Sequence, residues 1–185
     1  MAISLRLQTA LRALQQGAVV ACPTEAVWGL SCDPDNSEAV QRLLDLKRRP
    51  MHKGLILVAS ESEQFAALLQ GLSQAQRSKL SLSWPGATTW LVPHHDLVPA
   101  WIHGGRDSVA LRVSAHPVLA ALCRHWGGPL VSTSANPSGS QAPRAAFQVR
   151  RYFGANVEVL LPGAVGGADR PSVIRDILTD RIIRS

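Results

Sequence analysis

Apolar residues recur along this chain at two spacings, one helical and one strand-like, and the spacing changes at short polar breaks. Leu5, Leu7, Leu11 and Leu14 keep a helical spacing that stops at Gly17, so residues 3–16 predict a helix closed by a glycine. A strand over 18–22 follows. Residues 37–49 predict a second helix, with Ser37 as its cap, Glu38 in its first turn, Val40, Leu43 and Leu44 on its apolar face, and Lys47, Arg48 and Arg49 ahead of Pro50. Residues 55–59 form a short apolar run of buried-strand type, and 62–80 are broadly helical with a break at Gly71. Trp84, Pro85 and Gly86 make a turn. Strands over 88–92 and 108–113 flank a Pro- and Gly-containing loop, and a helix runs from His116-Pro117 to about His125. A strand starts at Leu130, and 132–139 read as a polar loop. A helix over 143–153, a strand over 157–161, a glycine-rich turn over 162–171 and short edge-like strands at 172–174 and 181–184 complete the pattern.

Helices and strands alternate for most of the length, which places the chain in the α/β class. Close strand spacing over 88–113 and 157–184 leaves no room for crossovers and predicts some antiparallel pairing, hence a mixed sheet. No linker or internal repeat divides the sequence, so residues 1–185 are expected to form one domain.

Composition narrows the picture. Hydrophobic residues make up 46% and charged residues 17%, and no apolar run approaches the ~18 residues that span a membrane. The first fifteen residues are amphipathic with arginines inside, unlike a secretory signal, and the expectation is a cytoplasmic protein. Cys22, Cys32 and Cys123 show no metal-binding spacing and fit free thiols in a reducing compartment, with Cys22 read as a small buried hydrophobe. A formal charge of +6 and a pI near 10.0 imply polyanionic partners without choosing among them. Five Trp against one Tyr and three Phe give little of the basic-aromatic interleaving of a single-strand platform.

Polar clusters interrupt the apolar elements at Thr24-Glu25, at Lys47, Arg49 and Lys53, at Arg112, and across Ser132, Thr133, Ser134 and Asn136. Ligands of α/β sheets collect outside strand ends, where such loops converge. The basic group suits phosphates, although a solvated helix C-terminus accounts for the same run. Hydroxyls and turn amides after Leu130 suit an anion or amino-acid cradle, and ordinary loop composition is the bland alternative. Asn136 offers a carbonyl to a cation. Glu25 is either a catalytic or orienting acid or a structural acceptor for strand-end amides. His94, His95 and His103 read as surface histidines. The sequence lacks a Walker loop, a G-x-G-x-x-G, an HExxH and a G-x-S-x-G elbow, which disfavours the enzyme classes built on them.

Six segments taken together resemble the YrdC/TsaC family of bacterial threonylcarbamoyl-AMP synthases in its short single-domain form. They are PTEAVWGL at 23–30, LKRRPMHKGLI at 46–56, WPGAT at 84–88, ALRVSAHP at 110–117, PLVSTSANPSG at 129–139 and PSVIRD at 171–176. The resemblance implies a twisted mixed parallel/antiparallel sheet with flanking helices around a basic concave cavity. It implies ATP, L-threonine and bicarbonate as substrates, Mg2+ accompanying ATP, and threonylcarbamoyl-AMP and pyrophosphate as products. The product would pass to the tRNA threonylcarbamoyl transferase machinery for adenosine modification beside the anticodon.

By the same resemblance Thr24, Lys53, Arg112 and Ser172 border threonine and bicarbonate, while Lys47, Arg49, Ser134, Asn136 and Arg184 border ATP, with Asn136 near Mg2+. Glu25, Ser132 and Thr133 are left with an orienting role, and no residue is needed as a covalent nucleophile. Ala26 stands where many relatives carry Thr or Ser, and longer members add a C-terminal domain beyond the point where this chain ends at Ser185. The competing reading is a non-enzymatic module for double-stranded RNA or ribosomal RNA maturation, and tRNA is a further candidate partner. A basic face alone would serve such a module.

Overall fold

A computed structural model describes residues 4–184, so Ile3 of the predicted first helix and both chain ends lie outside the described residues. Helix α1 (Leu5–Gln15) begins at Ser4, whose hydroxyl accepts from Leu7 N, and ends before Gly17 at φ +74°. Strands β1 (Val20–Pro23) and β2 (Trp28–Ser31) form a tight antiparallel pair. Helix α2 (Ser37–Lys47) follows, capped at its N-terminus by Asn36 rather than Ser37. The Asn36 side chain accepts from Ala39 N at 3.0 Å, and it fits because Gly17 has no Cβ to meet it. A 3-10 turn over Met51–Lys53 leads to β3 (Ile56–Ala59).

The helical stretch 62–80 divides into a 3-10 turn at Ser62–Phe65, α3 (Ala66–Leu69) and α4 (Gln74–Ser83), the last opened by a capping box at Ser73. Next come β4 (Thr88–Pro93), α5 (Ala100–His103), β5 (Ser108–Val113), α6 (Pro117–Trp126) and β6 (Leu130–Ser134). The chain closes with α7 (Ala146–Phe153), β7 (Val159–Leu160), β8 (Val173–Asp176) and β9 (Ile182–Arg184).

The nine strands of the described residues join one sheet in the order β7-β1-β2-β6-β3-β5-β4-β8-β9. Pairs β1–β7, β3–β5 and β4–β8 are parallel, and the other neighbours are antiparallel. Strand alternation sends side chains to opposite faces. Val20, Cys22, Val58 and Leu130 pack with α1 and α6, while Ala21, Leu57 and Val131 pack with α2 in the larger cluster that also holds Trp28, Phe65, Trp84 and Trp90.

The strands depart from the sequence expectation in three places. Strand β2, absent from the sequence expectation, shows no alternation of burial: Trp28 and Leu30 enter the larger core cluster, Ser31 is buried as well, and Gly29 sits where a Cβ would stand 3.1 Å from Thr24 Cγ2. Residues 132–134 extend β6 instead of opening a loop, since their backbone pairs with β2 and β3. Strand β9 lies at the edge, but β8 is covered on both sides.

The cap assignment is testable by urea midpoints. Asn36→Ala should cost about 1 kcal/mol, whereas Ser37→Ala should stay within about 0.5 kcal/mol.

Candidate active site

Strand ends β1, β6 and β8 and the loops after α2 and α5 surround a cavity of about 400 Å3. Thr24, Glu25, Arg49, Lys53, Arg112, Ser132, Thr133, Ser134, Asn136, Ser172 and Arg184 all line it. Lys47 alone of the expected residues stands behind the wall.

The turn between β1 and β2 presents Thr24 and Glu25. Thr24 closes it by donating from N and Oγ1 to Val27 O, at 3.0 and 2.7 Å, so its hydroxyl meets a ligand as an acceptor. The strand end is held from outside by residues 162–171, where Gly166 N donates to Thr24 O and Ala168 N to Glu25 O. Glu25 Oε1 accepts from Ser114 Oγ at 2.8 Å and Ala115 N at 2.9 Å, and Oε2 lies 3.3 Å from Arg112 Nη1. Both side chains are nearly buried, at 12% and 8% exposure. Burial alone would raise the Glu25 pKa. The Arg112 charge and then hydrogen bonds from its own backbone, Ser114 and Ala115 outweigh it and hold the carboxylate below its ordinary 4.5.

The C-terminus of α2 supplies the basic group. Lys47 is 3% exposed, and its ammonium donates to the carbonyls of Ser134 and of Asn136, the latter at 2.7 Å. Burial, and next the Arg49 charge, lower its pKa from 10.5 to about 8. Arg48 then turns left-handed at φ 48° and is exposed outside the cavity lining, while Arg49 Nη2 donates to Gly54 O at 2.8 Å. Asn136 Nδ2 is used by the carbonyls of Pro137 and Ser140, and its Oδ1 is buried without a partner.

At the opposite rim Ser172 Oγ pairs with Thr89 Oγ1 at 2.8 Å, and Arg184 Nη2 donates to Ser172 O at 2.7 Å. The β9 edge strand thereby delivers Arg184 into the cavity.

Sequence reasoning missed Arg106, Arg170 and His103, which also line the cavity. Arg106 and Arg170 sit in connections without periodicity and His103 ends the single-turn α5, and the GGRDS stretch leading into β5 was the only hint of a cation at 106. The histidines also differ from expectation. His94 is buried, donates from Nε2 to Arg106 O at 2.8 Å, and stacks on His103 at 4.1 Å.

Glu25 is the one acid lining a wall that carries Arg49, Lys53, Arg106, Arg112, Arg170 and Arg184. Such a wall suits a polyanion, with a neutralised station at Glu25–Arg112 for a ligand of mixed charge. Among the described residues no hydroxyl is hydrogen-bonded to a histidine ring, and no group of three His, Cys, Asp or Glu is placed to hold a metal ion. The three cysteines are buried and free; burial pushes Cys22 to about 12 and raises Cys32 and Cys123 as well, so none is a ready nucleophile. No helix of the described residues is long and apolar enough to cross a membrane.

The Sua5_yciO_yrdC family model, described as "Telomere recombination", matches residues 12–185. The chain is 54% identical over 180 residues to a threonylcarbamoyl-AMP synthase of Saccharophagus degradans, covering 97% of this chain and 94% of that one. It is 50% identical over 184 residues to the synthase of Pseudomonas putida, covering 100% and 99%. Among solved structures, Sua5 of P. abyssi complexed with L-threonine superposes with a TM-score of 0.86 at 30% identity, over 92% of this chain and 50% of that one. This chain thus spans about half of that protein. The E. coli YciO structure, at 20% identity and a TM-score of 0.85 over 97% of this chain and 88% of that one, shows the fold.

The Glu25 environment predicts an acid limb. A carboxylate whose folded pKa is lowered stabilises the fold above its unfolded value and loses that contribution as pH falls through the folded one. Denaturant midpoints of the wild type should therefore drop below pH 4.5, and Glu25→Gln should flatten that part of the profile.

Proposed function

The chain belongs to the Sua5/YciO/YrdC family, and we infer from that membership and from the charged cavity that it is a threonylcarbamoyl-AMP synthase. Relatives at 50–54% identity over nearly the full chain carry that name, which favours the synthase over a module that only binds RNA. The observation that carries the reading is the division of one cavity wall into a buried Glu25–Arg112 pair and a set of unpaired cations.

An α-amino acid is a zwitterion, and the pair matches it. Arg112 attracts the carboxylate, Glu25 Oε2 is a buried acceptor without a hydrogen bond, and Thr24 Oγ1 and Ser172 Oγ add hydroxyls at that end. Threonine held there brings its amine to bicarbonate-derived carbon. The new C–N bond gives a carbamate with loss of water, and Lys53 and Arg112 balance its charge. A carbamate oxygen then attacks the α-phosphorus of ATP, and the bond to the bridging oxygen breaks with its electron pair leaving on pyrophosphate. Arg49 and Arg184 face the developing negative charge from the wall. Lys47 acts from behind the wall, fixing the Ser134 and Asn136 carbonyls and placing a buried positive charge behind the residues that would border ATP.

Mg2+ fits this cavity as a companion of ATP. Asn136 Oδ1 is an orphaned acceptor, and a magnesium ion takes most of its other ligands from phosphates and water. When bound it supplies charge neutralisation on the phosphates. Holding the reactants together does the remaining work, with no covalent enzyme intermediate. The product would serve adenosine modification in tRNA through a separate transferase.

Purified protein should release pyrophosphate from ATP only with threonine and bicarbonate both present, and mass detection should find threonylcarbamoyl-AMP. Pyrophosphate formed regardless of threonine would sink the reading. Glu25→Gln should raise KM for threonine by about tenfold with KM for ATP nearly unchanged. Because the free-protein Lys47 pKa is about 8, KM for ATP should be flat below that pH. It should rise above it by up to about tenfold per pH unit, and Lys47→Met should remove the dependence.

A further inference from the structure

Arg49 and Arg106 come from different loops and meet at one residue. Arg49 donates to the Gly54 carbonyl at 2.8 Å, and Arg106 Nη1 lies 2.9 Å from where a Cβ on Gly54 would stand. The two loops touch backbone to backbone. A Cβ on Gly104 would stand 2.7 Å from Met51 O and 2.8 Å from Gly54 N, and both glycines have positive φ, +66° and +64°. The Arg106 backbone is fixed from the other side, because His94 Nε2 donates to its carbonyl while His94 Nδ1 accepts from Asp96 N. Its guanidinium is therefore carried on a braced loop.

Neither guanidinium has a carboxylate within ion-pair distance among the described residues, whose pairs join Lys79 and Arg175 to Asp180 and Arg112 to Glu25. Like charges set side by side repel, and the Arg49 pKa is lowered by burial and then by Arg106 and Arg184. An anion with several oxygens relieves that repulsion, and two planar forks match tetrahedral phosphate groups. Arg106 lies just before β5, which opens at Ser108, and Arg112 lies near the other end of that strand. Along that strand Arg106 thus stands at the end away from Glu25–Arg112. In-line displacement at the α-phosphorus sends the leaving group away from the attacking carbamate.

We propose that Arg106 is a further ligand of the triphosphate and that, with Arg49, it grips the two phosphates that depart as pyrophosphate. The assignment rests on the reading of Glu25–Arg112 as the threonine end. Arg106 is exposed and its side chain packs no core, so its removal leaves the fold intact.

The test is calorimetric binding of inorganic pyrophosphate to the full chain, beside steady-state kinetics. Arg106→Ala should weaken pyrophosphate binding by about tenfold or more, raise KM for ATP in step, and leave KM for threonine unchanged. Arg106→Lys should recover part of the loss. Arg48→Ala, which removes an exposed cation outside the cavity, is the control for net charge. Pyrophosphate affinity unchanged in Arg106→Ala, or weakened equally in Arg48→Ala, overturns the proposal. Binding is read without turnover, so a protein that forms no threonylcarbamoyl-AMP yet shows Arg106-dependent pyrophosphate binding would fail the synthase reading and keep this site.

Discussion

The site depends on a buried ammonium. Lys47 ends helix α2 inside the protein, and its charge is accepted by the carbonyls of Ser134 and Asn136 at the end of β6. A buried cation is stable only when such acceptors surround it. That requirement fixes where the helix stops relative to the sheet. Ser138 N returns a hydrogen bond to Lys47 O at 2.7 Å, so helix end and loop hold each other. Everything basic beyond that point, from the left-handed Arg48 to Arg49 and the 3-10 turn carrying Lys53, inherits its direction from this anchor.

The anchor also explains why cations gather without acids. Arg49 is held by the carbonyls of Lys53 and Gly54, and Arg184 by that of Ser172. A carbonyl orients a guanidinium without cancelling its charge, whereas a carboxylate does both. Among the described residues of the cavity wall, a carboxylate pairs only with Arg112. The cavity thereby separates a neutralised station from a charged one while keeping both within about 400 Å3. Such a separation suits the proposed joining of an amino acid to a nucleoside triphosphate, because a uniformly cationic wall would attract phosphates along its whole length.

Much of this was legible in the sequence because it is local. Helix α2 announces its apolar face at Val40, Leu43 and Leu44, and the run from Lys47 to Pro50 announces its end. Strand β5 is visible as an apolar run whose last polar residue, Arg112, reaches the site. What escaped reading is set by contacts distant in sequence. Strand β2 has no alternation because groups distant in sequence cover both its faces, with Trp28 and Leu30 in the larger core cluster and Gly29 against Thr24, and Asn36 rather than Ser37 caps α2 because Gly17, in the turn after α1, makes room for it. Arg106 escaped because its position depends on Gly54 and Gly104 meeting across loops.

Glu25 shows the same limit from the other side. The motif PTEAVWGL marks an acid at a strand end, but not whether that acid moves a proton. Its carboxylate accepts two hydrogen bonds on Oε1 and faces Arg112 with Oε2, an environment that favours the charged form over the protonated one. A group held ionised this firmly is a poor base, since its pKa lies far from that of the ammonium it would deprotonate. That geometry suits an orienting group: one oxygen is tied to the Ser114 hydroxyl and the Ala115 amide, and the other stands against Arg112 at the cavity wall.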